Sequence, residues 1–229
     1  MKRIALLLCL SLCLFALQSP IPAQATEQGT SIVFRKNQSK RKKIALTFDD
    51  GPHPRYTERI LDILEKYGVR ATFFVIGQNL ENYPEVLKAV HQKGHEIGNH
   101  SYRHRNESHM DGATVLNEME KCESLILQQT GVKPRLFRPP QGDYNEEVES
   151  IAKQKNYSII LWSIDTRDWD HTSADSILRT VDKEVTDGDI ILMHDYVSGK
   201  NTTCEALEAM IPILLSRGYE FVTVSELIK

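Results

Sequence analysis

From residue 43 onward, short apolar runs rich in branched and aromatic side chains alternate with longer stretches in which apolar residues recur every three or four positions. The short runs predict strands at 44–48, 71–76, 96–99, 136–138, 159–163, 190–193 and 221–224. The longer stretches predict helices at 57–66, 83–93, 113–129, 146–155, 173–186 and 205–216. Gly68, Gly94, Gly131, Gly188 and Gly218 stand at or shortly after helix ends, where a left-handed residue commonly stops a helix. Strands separated by helices predict βα units around a parallel sheet. The pattern alone leaves open a closed barrel or an open, doubly wound sheet. In both, the loops at the carboxyl ends of the strands form the functional face.

The chain before residue 43 has a different pattern. Met1, Lys2 and Arg3 precede an apolar run over 4–17, and Ala23-Gln24-Ala25 precedes a polar stretch. A charged start, an apolar middle and small residues at the end predict a signal peptide over 1–25, and the run is shorter than the roughly 20 residues needed to span a bilayer. Residues 26–42 are polar, with the basic cluster Lys40-Arg41-Lys42-Lys43 at their end, and predict a solvated lead-in without a core element. The domain proper is then 43–229.

Removing residues 1–25 from 229 leaves enough chain for one domain with a substantial core. The segment carries two of the 28 basic residues and none of the 31 acidic ones, so 26 basic residues face 31 acidic ones afterwards. That balance argues against a nucleic-acid partner. Two of the four cysteines leave with the leader. Cys122 and Cys204 remain, and both sit in helical patterns that favour two buried thiols over a disulfide.

The polar residues that break the apolar pattern fall at the predicted strand ends. Asp49-Asp50-Gly51 closes the first strand, His100 and His104 follow the third, Arg138 the fourth, Asp165 the fifth, and His194-Asp195 the sixth. Imidazoles at i and i+4 can be aimed at one point, and two histidines with one carboxylate suit a divalent metal with open positions for water and substrate. Alone, the pair would equally fit an exposed surface pair in a His-rich stretch, since His91, His95 and His109 lie nearby. Adjacent aspartates at a strand end point to opposite sides, so one can bind metal while the other faces its water. Asp-Asp-Gly-Pro is also good turn chemistry.

Taken together, Thr47-Phe48-Asp49-Asp50-Gly51-Pro52, His100-Ser101-x-x-His104, Arg138-Pro139-Pro140-Gln141-Gly142, Asp165-x-x-Asp168-Trp169 and Leu192-Met193-His194-Asp195 carry a resemblance. In order and spacing the chain resembles the polysaccharide deacetylases, carbohydrate esterase family 4, the NodB-homology domain. The resemblance runs from about residue 43 to the end. It implies a distorted (β/α)7 barrel and a secreted, metal-dependent enzyme that removes acetyl groups from an N-acetylglucosamine-containing glycan such as peptidoglycan or a chitin-type oligomer. The same machinery can hydrolyse O-acetyl esters, as on xylan, and a silent carbohydrate-binding relative is the rival of a different class.

The resemblance also implies roles. Asp50, His100 and His104 would hold the metal, most often zinc, with cobalt or another divalent ion as substitutes. Asp49 would be the base and His194 the acid. Arg138 would orient Asp49, and Asp165 would pair with His194, with Asp168 as its rival. Gln141 stands where many relatives carry tyrosine, a departure that keeps a backbone N–H for the oxyanion and loses an aromatic contact. Trp169 and Leu192 would line a pocket for the acetyl methyl, and Tyr102 and Tyr196 are candidates to face sugar rings. The protein is expected to act as a monomer outside the cytoplasm, in the cell wall or periplasm, with no membrane span once processed.

Overall fold

The structure, a computed structural model, describes residues 33–37 and 41–229. The expected leader over 1–25 lies outside the described residues. In chain order the elements are β1 (Val33–Phe34), β2 (Lys43–Asp49), α1 (Tyr56–Tyr67), β3 (Thr72–Val75), α2 (Gly77–Asn82), α3 (Pro84–Gln92), β4 (Glu96–Asn99), α4 (Gly112–Thr130), β5 (Leu136–Phe137) and α5 (Glu146–Gln154). They continue with β6 (Ser158–Ile160), β7 (Ile164–Asp165), α6 (Ala174–Glu184), β8 (Ile190–His194), α7 (Thr203–Ser216), β9 (Glu220–Phe221) and α8 (Val224–Leu227). The six predicted helices are present with ends shifted by at most two residues. Gly68 and Gly131 close α1 and α4 with φ of 63° and 73°, as the glycine pattern predicts.

All the paired strands are parallel, in the order β1-β6-β5-β4-β3-β2-β8-β7, with β9 added beside the start of β2. β7, at one end of this order, and β6, next to the other end inside β1, are successive parts of one segment, separated only by Leu161, Trp162 and Ser163. Three residues cannot bridge a flat sheet of this width. The sheet therefore curls until β6 and β7 come together through residues 158–165, with β1 added outside β6, which is the distorted (β/α) barrel implied by the resemblance. The strand predicted over 159–163 is thus the end of β6 followed by a bend, with β7 beginning just beyond it.

Side-chain alternation then sorts the barrel. Along β2, Ile44, Leu46 and Phe48 join the large core beneath the helices, with Ile191 and Met193 of β8 and Phe73 and Val75 of β3. The alternate residues face inward. Ala45, Phe74, Leu136, Ile160 and Ile190 pack inside with Val222, Val224 and Leu227, so the end of the chain and α8 plug the barrel's floor. The same inward register, continued to the strand ends, delivers Asp49 and His194 to the mouth as paired positions of β2 and β8.

Two expectations need correction. The lead-in is not wholly outside the sheet: Val33 and Phe34 pair with Ile159 and Ile160, and Lys36 forms a salt bridge of 2.7 Å with Asp189. Only two apolar residues make this strand, too few to show a period. The last predicted strand also stops early, because Thr223 caps α8 in a capping box with Glu226 and turns the chain into a helix at Val224. Cys122 and Cys204 are free and buried, as expected. Among the described residues no helix is long and apolar enough to cross a membrane.

Candidate active site

A cavity of about 470 Å³ opens at the carboxyl ends of the strands. Asp49, Asp50, His100, His104, Gln141, Asp165, Trp169, Leu192 and His194 line it together with Trp162. Arg138, the remaining predicted site residue, lies behind the cavity with no exposed surface.

Asp50, His100 and His104 each point a donor atom at one place, all within 4.8 Å of one another. Asp50 Oδ1 is 3.5 Å from His100 Nε2 and 3.2 Å from His104 Nε2. Ligands held at about 2.1 Å around a tetrahedral ion stand about 3.4 Å apart, so both carboxylate–imidazole separations suit a divalent metal. Asp50 Oδ1 is also buried and without a hydrogen-bond partner, an acceptor that a cation would satisfy. His100 Nδ1 sits 2.7 Å from the Arg138 carbonyl, an N–H donation that leaves Nε2 as the lone-pair donor. Burial lowers the His100 pKa against the pull of Asp49 and Asp50, keeping the ring neutral as a ligand must be.

Asp49 lies beside this set but is committed differently. Its Oδ1 accepts from Arg138 Nη1 at 2.7 Å, while Oδ2 lies 3.6 Å from His100 Nε2 and faces the metal position. Arg138 also donates from Nη1 to Thr47 Oγ1, from Nε to the Ile160 carbonyl and from Nη2 to the Leu161 carbonyl. Its guanidinium lies 4.1 Å from the centre of the Phe74 ring. Fixed on every side, it gives Asp49 one orientation.

On the other side of the mouth, Asp168 holds His194. Asp168 Oδ1 is 2.8 Å from Nδ1, and Oδ2 accepts from the His194 backbone N–H at 2.8 Å and from Thr203 Oγ1 at 2.7 Å. Burial opposes protonation of His194, but the Asp168 hydrogen bond and the charges of Asp168, Asp49 and Asp50 outweigh it and lift the pKa to about 9. The partner expected for His194, Asp165, instead accepts the Arg167 backbone N–H at 2.8 Å and caps a turn. Arg167 is left-handed there, with φ of 55°, and this turn carries Asp168 inward. Asp165 remains on the cavity wall.

Gln141, also left-handed at φ of 62°, stands at the rim facing Trp162, Trp169 and Leu192, which supply the apolar side. No sequence motif marks Trp162; its place at the β6–β7 bend follows from the curl of the sheet. Tyr102 is not a rim residue. It is buried beneath α2 and donates its hydroxyl to Glu81. Tyr196 is exposed and stacks on His53 with ring centres 5.0 Å apart. Next to Asp50, Gly51 has Asp195 so close that a Cβ would come within 2.0 Å of its Oδ2. Asp195 is buried with Thr57 as donor, and burial lifts its pKa to about 7.

Comparison with known proteins finds relatives of this arrangement. Residues 36–160 match the family profile for polysaccharide deacetylase. A peptidoglycan-N-acetylglucosamine deacetylase of Bacillus cereus is 40% identical over 193 residues, covering 83% of this chain and 90% of that protein. Among solved structures, a peptidoglycan N-acetylglucosamine deacetylase in complex with 4-naphthalen-1-yl-N-oxidanyl-benzamide superposes with a TM-score of 0.83 at 35% identity, over 86% of this chain and 92% of that one. A CE4 family pseudoenzyme from Bacillus anthracis superposes with a TM-score of 0.82 at 32% identity, over 87% and 70%.

Proposed function

Because this chain belongs to the polysaccharide deacetylase family, we propose that it removes the N-acetyl group from N-acetylglucosamine-type sugars of peptidoglycan, yielding acetate and a free amine. The observation that carries this reading is the convergence of Asp50, His100 and His104 on one point, flanked by Asp49 and His194 from neighbouring strand positions. Since the fold is shared with a pseudoenzyme as well as with deacetylases, similarity of shape does not decide activity. The complete set of reacting groups supports it.

Two imidazoles and a carboxylate suit Zn²⁺, with Co²⁺ as a substitute, and such an ion acidifies water and polarises a carbonyl. Asp49 takes the proton of the attacking water through Oδ2, the oxygen that Arg138 leaves open. The new C–O bond places negative charge on the former carbonyl oxygen, and the Gln141 backbone N–H is the protein's donor to it. His194, protonated at neutral pH, gives its proton to the amide nitrogen as the C–N bond breaks, so that amine rather than amide anion departs. Trp162, Trp169 and Leu192 receive the acetyl methyl. With residues 1–25 as an export signal, the enzyme works as a monomer outside the cytoplasm, at the cell wall.

The test is metal analysis combined with acetate and free-amine release from peptidoglycan, chitooligosaccharides and acetylated xylan, with Asp49→Asn as control. Release from the amide substrates that chelation abolishes and zinc restores is the expected result. Glycan binding without release, or release indifferent to chelation, overturns the reading.

A further inference from the structure

We propose that Glu118, on α4 and outside the catalytic cavity, is a positioning residue that sets how tightly the His100 to His104 loop holds its divalent metal. The inference rests on the reading of Asp50, His100 and His104 as ligands. The loop between the two histidines is an unusual conformation, since Ser101 and His104 are both left-handed with φ of 68° and 54°. Non-glycine residues pay for such angles and persist there only when the surroundings hold them.

Two elements do so here, from opposite sides. The first N–H groups of α2 donate to the loop's carbonyls, Gly77 to Ser101 at 3.0 Å and Gln78 to Tyr102 at 2.9 Å. Glu118 takes the loop's donors. Its Oε2 accepts the Arg103 backbone N–H at 2.8 Å and faces Ser101 Oγ at 3.5 Å, while Oε1 accepts from Arg103 Nη1 at 3.2 Å. Glu118 is 1% exposed, and among the described residues its hydrogen-bond partners all lie between the two histidines. A buried carboxylate costs free energy unless fully partnered. Its place here is accounted for by the segment it holds, which must present two imidazoles to a common point before any ion arrives. Asn99 adds to the grip by accepting the Ser101 N–H and donating to the Met119 carbonyl of the same helix.

The experiment compares the full chain with Glu118→Ala and Glu118→Gln. Zinc affinity is read by competition with a chromophoric chelator, ligand geometry by the Co²⁺ absorption spectrum, and folding by circular dichroism of metal-free protein. Loss of a residue that orients metal ligands typically weakens binding about 10–100-fold. That loss is expected for the alanine variant, with an altered Co²⁺ spectrum and with turnover recovered when zinc is raised to saturation. Glutamine keeps the volume and one acceptor, so it folds and shows a smaller loss. Tight zinc binding by the parent protein with unchanged affinity and spectrum in both variants overturns this proposal alone. Absence of zinc binding in the parent protein overturns it together with the reading of the three ligands.

Discussion

Asp168 grips His194 at two points, one carboxylate oxygen on the ring nitrogen Nδ1 and the other on the residue's own backbone N–H. Ring and main chain are thus fixed to the same group, which leaves Nε2 aimed at the cavity. Asp168→Asn should lower turnover on amide substrates by on the order of 10²–10⁴-fold, the range for loss of a general acid or base, whereas Asp165→Asn should cost under about tenfold. Steady-state acetate release from both variants measures this. A larger loss for Asp165→Asn would reverse the assignment.

The pH profile follows from the same pair. As the proposed acid, His194 must be protonated to act, so turnover should fall as pH rises through its pKa, which is lifted to about 9 in the metal-free chain. A bound dication works in the opposite direction, so the loaded enzyme's basic limb lies at or below that value. In Asp168→Asn it should move down further, toward the ordinary histidine value of 6.5. Because folding raises this pKa, the pair adds stability that is complete below pH 6.5 and disappears as pH rises through about 9. Urea unfolding of chelated protein across that window should show the decline, and Asp168→Asn should flatten it.

Arg138 is fully buried and makes four side-chain hydrogen bonds, one of them to Asp49. Replacing it with methionine strands a buried carboxylate and should destabilise the protein by about 3–5 kcal/mol. Adding Asp49→Asn should recover part of that loss, because the stranded charge is gone. Chemical denaturation of the single and double variants tests the coupling, and strict additivity would show that the two groups do not depend on each other.

Metal removal and removal of a ligand should act differently on stability. Asp50 Oδ1 is buried without a partner in the metal-free protein, a condition that costs about 1–3 kcal/mol. Asp50→Asn should therefore melt at or above the chelated parent protein while gaining nothing from zinc. The parent should gain about 4 kcal/mol when zinc is at a thousandfold its Kd. Thermal melts with zinc and with chelator give both comparisons, and zinc stabilisation retained in Asp50→Asn would remove it from the ligand set.

Glu107 is fully buried, and burial, opposed by the Ser101 hydroxyl and reinforced by the charge of Glu118, lifts its pKa from 4.5 to about 8. The folded state keeps a proton there that the unfolded chain releases. Stability should consequently fall as pH rises from about 4.5 to about 8, and Glu107→Gln should remove a slope worth on the order of a few kcal/mol. Denaturation of metal-free protein at several pH values reads this directly, and parallel curves for the two proteins would contradict it.

Much of this site is legible in the sequence because period-two alternation in β2 and β8 decides which residues reach the mouth, and the polar residues there interrupt otherwise apolar runs. The choice between Asp165 and Asp168 is not legible, since it turns on the left-handed backbone of Arg167 between them. Similarly, α2 over Gly77–Asn82 offers a single buried apolar side chain, Leu80, and shows no helical period. The helix at Val224 did carry a local signal, Thr223 three residues before Glu226, which the branched residues beside it obscured. Glu118 could not be found at all by motif, because it belongs to an ordinary amphipathic helix and its purpose lies in what folds against it.

Arg138 donates to the carbonyls of Ile160 and Leu161 at the bend between β6 and β7, the seam where the curled sheet meets itself. The counter-charge of Asp49 is therefore also a rivet in the barrel wall. A lineage abandoning catalysis can shed Asp50 or a histidine and keep its architecture, but it has no such liberty with the arginine. Decay of this activity should begin at Asp50, His100 or His104, and descendants that no longer turn over substrate should still carry the guanidinium.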